Sequence, residues 1–237
     1  MLFALAAITL LIDVATGRVI SANPALEAET RLVTPGSTVK PFTVLALREQ
    51  GKLGDDPRVT CQGRLTIANR RLDCSHPRLA MPLDEQAALA YSCNTWFATM
   101  AKRLERGRFL ALLRRYGFWA TGAEMQLTAL GEAGVSITPL ALGKAYRRLA
   151  REAPMEGLRD AVEFGSGQLA AVEGLEVAGK TGTTAAANRL STHAWFVGYA
   201  PARKPEVVVV VFVEQGKGGA TAAPIAAEIF KKWWKLR

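Results

Sequence analysis

The sequence predicts an α+β fold, a mainly antiparallel five-stranded sheet flanked by helices, with an all-helical block in the middle of the chain. Three observations carry this. Apolar runs with strand character sit near the two ends, helical periodicity fills much of residues 37–151, and an amphipathic helix follows the last strand. The early strands must join the late ones to bury their faces.

Residues 1–12, "MLFALAAITLLI", are apolar but shorter than the ~20 residues that span a bilayer, and no Lys or Arg precedes them as in a signal peptide. The run leads through a turn at Ala15–Gly17, so it reads as a buried strand at about 8–14 paired with another at about 18–22 rather than as an export signal. Helices follow at 37–49, ended by Gly51, then at 84–91, 94–106, 108–116 and 138–151. Thr138 and Pro139 supply an N-cap and a first-turn proline to the last of these. Its Leu142, Tyr146 and Leu149 form an apolar stripe that belongs to the core. Strands return at 175–183, 193–200 and 206–214, and the final helix places Ile225, Ile229 and Trp233 on one face.

With 237 residues and 49% hydrophobic content the chain can bury a core, and without repeats or a long linker it reads as one domain, residues 1–237. The net charge of +9 comes from basic residues scattered in local clusters (102–108, 114–115, 147–148 and 231–237). These read as a solvated basic face, not a nucleic-acid surface. Three cysteines are present. Cys61 and Cys74 flank a short loop at a spacing that suits a disulfide worth roughly 3 kcal/mol. His76 raises a metal site as the rival, but two sulfurs and one histidine leave zinc a ligand short. The disulfide is favoured, two free thiols are the alternative, and no metal or cofactor is expected. Cys93 reads as a small buried residue, since no histidine adjoins it.

Three short segments can carry chemistry. In "TPGSTVKPF", Pro35–Gly36 places Ser37 at a helix N-terminus, one turn before Lys40. Among Val39, Phe42 and Val44, Lys40 is desolvated, which lowers an amine's pKa and lets it activate a hydroxyl. Alone, Ser-Xaa-Xaa-Lys is a helix cap followed by a surface lysine as readily as a nucleophile and its base. In "YSCNTWF", Ser92 and Asn94 lie at a bend between two helices, where a hydroxyl relays a proton and a carboxamide orients a substrate amide. Ser21 and Asn23 repeat that spacing, but precede Ser37 at a strand end and are the poorer pair. In "AGKTGTT", Lys180 and its neighbours Thr181, Gly182 and Thr183 offer a cation, hydroxyls and strand backbone for a carboxylate and an extended peptide. A phosphate loop is excluded because the earlier glycine is missing and a strand follows.

Ser-Xaa-Xaa-Lys, Ser-Xaa-Asn and Lys-Thr-Gly, in this order, are the motif set of penicillin-binding proteins and serine β-lactamases. From about residue 10 to the end the sequence resembles the transpeptidase domain of penicillin-binding proteins, also in "VSITPLALGKAYRRLA" and "HAWFVGYAP". The resemblance implies a β-lactamase/transpeptidase-like fold and acyl transfer on the D-Ala-D-Ala stem peptides of peptidoglycan. It implies that Ser37 attacks the carbonyl, that Lys40 takes its proton, and that Ser92 with Lys180 protonates the leaving D-Ala. Asn94 and Thr181 would hold the substrate, backbone N–H groups of Ser37 and Thr183 would form the oxyanion hole, and β-lactams would acylate Ser37.

The family's usual membrane anchor, glycosyltransferase region and pedestal are not in these 237 residues. The implied setting is extracytoplasmic, with a cell-wall synthesis complex or membrane as further partner. Within the same chemistry the rivals are a D,D-carboxypeptidase and a class D-like β-lactamase, although no glutamate is recognisably placed to activate a deacylating water. From another class, a non-catalytic β-lactam or wall-fragment sensor fits the same motifs.

Overall fold

The computed structural model describes residues 7–122, 124–185 and 191–237. Residues 1–6 of the N-terminal apolar run lie outside them. In chain order the elements are β1 (Ala7–Asp13), β2 (Val19–Asn23), α1 (Ala25–Thr30), α2 (Lys40–Glu49), β3 (Thr66–Ile67), β4 (Arg70–Arg71), α3 (Glu85–Ala90), α4 (Asn94–Ala101) and α5 (Arg106–Arg115). There follow β5 (Trp119–Ala120), α6 (Met125–Leu130), β6 (Val135–Ser136), α7 (Pro139–Glu152), α8 (Glu156–Glu163), β7 (Ala178–Ala185), β8 (Thr192–Ala200), β9 (Val207–Val213) and α9 (Ala223–Lys235).

The main sheet has the order β2-β1-β9-β8-β7, and every neighbouring pair is antiparallel. The early strands thus join the late ones, as the apolar patterns require. All seven residues of β9 are buried, because β9 is central and helices cover both of its faces. On one face α7 packs through Leu142, Tyr146 and Leu149, all fully buried. On the other, α9 buries Ala223, Ala226 and Phe230. Ile225, Ile229 and Trp233, which share one face of that helix, are only partly buried at its margin, since the smaller alanines let it sit close to the sheet.

In the helical block α2 is central, with Phe42 packed at 5.1, 5.0 and 5.6 Å against Tyr116, Phe118 and Tyr146. Caps fall where the sequence puts them. The Asp84 side chain accepts from Ala87 N–H at 2.9 Å, and Thr138 Oγ1 accepts from Ala141 N–H at 3.2 Å. The helix read over 37–49 starts later: Gly36–Val39 is a 3₁₀ turn and α2 begins at Lys40. The helix read over 94–106 stops at Ala101.

Elements missed by periodicity are short. In the β3–β4 hairpin, Ala68 and Asn69 both have positive φ, 46° and 62°, the geometry of a primed two-residue turn usually signalled by Asn-Gly. Helices α1, α6 and α8 span six, six and eight residues, too few to establish a stripe. Among the described residues no helix is long and apolar enough to cross a membrane.

Candidate active site

The 3₁₀ turn that carries Ser37 is wedged between the sheet and α6. Gly36 (φ +54°) lies so close to β7 that a Cβ there would stand 2.5 Å from Thr184 Cγ2. Gly131 (φ +76°), which caps α6, would clash with Gly36 O at 2.0 Å. Both positions need glycine for conformation and for room. The turn is also tied by hydrogen bonds: Gly36 N–H to Gly131 O at 3.0 Å, Tyr146 Oη–H to Thr38 O at 2.8 Å, and Trp195 Nε1–H to Thr34 O at 3.1 Å. The nucleophile candidate therefore sits on a turn fixed from three sides.

A groove of about 870 Å³ opens over this turn, lined by Ser37, Ser92, Asn94, Thr181 and Thr183 among others. Lys40 and Lys180 lie beneath it, both fully buried. Lys40 Nζ bonds to Ser92 O at 2.8 Å, Ser92 Oγ at 3.1 Å and Asn94 Oδ1 at 2.6 Å. Lys180 Nζ bonds to Ser92 Oγ at 2.8 Å and to Thr181 O at 3.2 Å. The Ser92 hydroxyl is thus held between two amines contributed by α2 and β7. Direct Ser37–Lys40 bonding, the first expectation from their spacing, is replaced by bonds from Lys40 to the Ser92–Asn94 bend.

Burial lowers the pKa of Lys40 to about 8, partly opposed by the sulfurs of Cys93 and Cys74 and by the Glu132 carboxylate. Burial, reinforced by the nearby Lys40 charge, depresses Lys180 well below the ordinary lysine value. Two ammonium groups sharing one hydroxyl in a dry pocket repel, so the arrangement favours a neutral amine at one of the two lysines. Ser92 itself has φ +57°, a left-handed conformation that costs a non-glycine residue about 1–2 kcal/mol. The bend between α3 and α4 imposes it and aims the side chain at both lysines.

Asn94 is engaged at both ends of its carboxamide. Its Oδ1 takes Lys40, and its Nδ2 donates to Leu72 O at 3.0 Å and Asp73 O at 3.3 Å. It clamps the hairpin segment to the lysine as well as lining the groove. On the sheet side, Thr181 Oγ1–H bonds to Ser166 Oγ at 3.1 Å, and Gly218 N–H bonds to Thr183 Oγ1 at 3.0 Å. Gly182 lies against the carbonyl of Pro35, where a Cβ would approach it to 2.8 Å. Strand β7 is the edge of the sheet, so its outer backbone is available to an extended chain beside the groove.

Ser21 and Asn23, the weaker match to the middle motif, lie on β2 at the opposite edge of the sheet. Sequence reasoning missed Ser166 and Glu132, which also line the groove. Arg70 Nη2 lies 3.3 Å from the Glu132 carboxylate, while its Nη1 bonds to Glu132 O at 3.0 Å. Burial raises the Glu132 pKa, opposed by Arg70 and Lys40. Glu132 directly follows the left-handed Gly131, which by itself does not single out a groove-lining residue.

The disulfide expected between Cys61 and Cys74 is not formed. All three cysteines are free thiols, with Cys61 Sγ and Cys74 Sγ 3.5 Å apart and Cys93 Sγ 3.8 Å from Cys74. Cys74 stands between two sulfurs rather than facing one. His76 is within reach of the same cluster.

Residues 7–155 and 153–232 match the family model for the penicillin binding protein transpeptidase domain. The chain belongs to this family. Among curated relatives of this transpeptidase domain, the peptidoglycan D,D-transpeptidase PbpA of Mycolicibacterium smegmatis is 26% identical over 81% of the chain and 53% of its own length. The stage V sporulation protein D of Bacillus subtilis is 26% identical over 83% of the chain and 41% of its own length. The chain therefore spans about half the length of the curated relatives it matches. The solved D,D-transpeptidase domain of a peptidoglycan glycosyltransferase from Eggerthella lenta superposes with a TM-score of 0.83 at 20% identity, covering 99% of this chain and 79% of that one. That likeness establishes the shared fold.

Proposed function

We propose that residues 1–237 act as the acyl-transfer domain of a peptidoglycan D,D-transpeptidase, with Ser37 as the nucleophile. The observation that carries the reading is the Ser92 hydroxyl held at 3.1 Å from Lys40 Nζ and 2.8 Å from Lys180 Nζ, in a groove that also exposes Ser37. In this reading neutral Lys40 takes the Ser37 proton as Oγ attacks the penultimate D-Ala carbonyl of a stem peptide. Backbone N–H groups of Ser37 and Thr183 receive the oxyanion, a stabilisation worth about 3–4 kcal/mol per donor in a dry site. The proton passes through Ser92, with Lys180, to the leaving D-Ala amine, and an amine acceptor then resolves the acyl-enzyme. Thr181, Gly182 and Thr183 hold the donor along β7, and Asn94 fixes the opposite side. β-Lactams acylate Ser37 by the same route. Cross-linking of peptidoglycan implies an extracytoplasmic setting, with a cell-wall synthesis complex as partner.

A hydrolytic reading, D,D-carboxypeptidase, draws on Glu132, whose half-buried carboxylate lines the groove with Ser37. Mass spectrometry of the chain after penicillin, and then after a D-Ala-D-Ala donor peptide with an amine acceptor, tests both readings. The expected result is a long-lived penicillin adduct on Ser37, absent in Ser37→Ala, and a cross-linked product. Labelling that persists in Ser37→Ala refutes the assignment. Hydrolysed donor alone, restored to cross-linking by Glu132→Gln, selects the carboxypeptidase, rapid turnover of penicillin selects a β-lactamase, and acylation without any peptide product selects a sensor.

A further inference from the structure

The three cysteines and one histidine of the hairpin side converge although they are spread over the sequence. Cys61 precedes the β3–β4 hairpin, Cys74 and His76 follow it, and Cys93 is the residue between Ser92 and Asn94. One ligand atom from each, three Sγ and a ring nitrogen, all lie within 4.8 Å of one another. We propose that Cys61, Cys74, His76 and Cys93 bind one Zn²⁺ ion in a tetrahedral Cys₃His site that pins the hairpin segment to the bend carrying Ser92 and Asn94.

Spacing is the first support. Zn–S arms of about 2.3 Å at tetrahedral angles put neighbouring sulfurs about 3.8 Å apart. The Sγ–Sγ distances here are 3.5 Å for Cys61–Cys74 and 3.8 Å for Cys74–Cys93. The fourth ligand that the sequence seemed to lack is Cys93, supplied by the catalytic bend itself.

The histidine gives independent support. His76 Nδ1 lies 2.7 Å from Pro77 O, and a carbonyl only accepts, so Nδ1 carries the proton. Nε2 then holds a lone pair, yet it is buried and has no hydrogen-bond partner. A metal-bound imidazole has this arrangement, with the far nitrogen donating to a carbonyl and fixing the ring. The sulfurs have outer contacts of the same kind: Gly63 N–H donates to Cys61 Sγ at 3.3 Å, and Thr95 Oγ1 lies 3.5 and 3.6 Å from Cys61 and Cys74 Sγ. Three soft sulfurs and an imidazole select zinc over hard cations that prefer oxygen. A disulfide would use two of the sulfurs and leave the third and Nε2 without a partner.

Binding replaces three S–H bonds by three Zn–S bonds, releases three protons to solvent and leaves a site of net charge −1. The ion would hold Cys93 at the segment that Asn94 already grips through Leu72 O and Asp73 O. It therefore acts as a positioning element for Ser92 and Asn94 and never touches substrate.

The test is the zinc content of the chain purified from zinc-supplemented medium, measured by plasma mass spectrometry with intact-mass analysis, followed by Co²⁺ exchange. We expect one zinc per chain and, with cobalt, the thiolate charge-transfer and strong visible bands of a tetrahedral site. His76→Ala should weaken zinc binding by more than about 100-fold, beyond what loss of an outer-shell contact costs. It should also abolish the drop in Tm that a chelator causes in the wild-type chain. Wild-type chain without zinc, or lighter by two hydrogens through a disulfide, overturns the proposal, as does an unaltered cobalt spectrum in His76→Ala. Penicillin acylation that is equally fast with and without zinc overturns the positioning role alone. Zinc content is read without substrate, so this outcome is independent of whether the chain transfers acyl groups.

Discussion

The sheet side of the groove and the hairpin side are built by different physics. Strand β7 is placed by eight register pairs with β8 and backed by β9, every residue of which is buried. The hairpin side comprises two strands of two residues each amid loops, with mostly exposed or half-buried side chains. A hydrogen-bonded ladder over a buried sheet fixes a side chain without help, whereas a loop must be stapled through individual side chains. Asn94, the Arg70–Glu132 pair and the sulfur–histidine cluster are such staples. The lysines follow the same division: Lys180 is held by the sheet, while Lys40 relies on the bend that the hairpin side supports.

The largest expected effect breaks the sheet side. Phe212 is fully buried with its ring 4.6 Å from that of Trp195, so Phe212→Ala should cost about 3–5 kcal/mol and lower Tm by roughly 10 °C in calorimetry. Next, Ser92→Gly separates chemistry from folding at the junction of the two sides. Loss of the relay should slow penicillin acylation by about 10²–10⁴-fold. Relief of φ +57° should at the same time stabilise the fold by about 1 kcal/mol, measured by urea unfolding. A variant that is both slow and less stable would show that Ser92 braces the bend.

The pH profile reads Lys40 directly. Only the neutral amine accepts a proton, so acylation should rise about tenfold per pH unit up to about 8 and then level, measured by stopped-flow labelling. The sign for stability follows from the same depression. Below about 8 the burial penalty of the charged lysine is fully felt, and it disappears as pH rises from there to 10.5, where the unfolded chain also loses its proton. The smallest effect belongs to the hairpin side: Arg70→Ala removes a partly exposed ion pair and should change unfolding free energy by less than about 1 kcal/mol. A cost several times larger would mean that the hairpin is fixed by charge rather than by its sulfur cluster.

Much of this was legible in the residues. Apolar runs placed β1, β8 and β9 within a residue or two, and Thr138–Pro139 marked the start of α7. The motif residues Ser37, Lys40, Ser92, Asn94, Lys180, Thr181, Gly182 and Thr183 do meet at one groove. The hairpin was not legible because Ala68–Asn69 adopts a primed turn without its usual glycine. Glu132 and Ser166 escaped because nothing in their flanking sequence distinguishes a groove-lining residue from a loop residue.

Local chemistry alone determined that a buried lysine follows a serine by one turn and that strands bound a helical block, since period and polarity are written residue by residue. Which groups actually meet was decided only by the tertiary structure. Lys40 bonds to Ser92 rather than to Ser37, Tyr146 reaches Thr38 from 108 positions away, and Cys93 joins Cys61, Cys74 and His76. Such contacts depend on how distant segments pack, and the packing of a whole core is not encoded in any short stretch of chain.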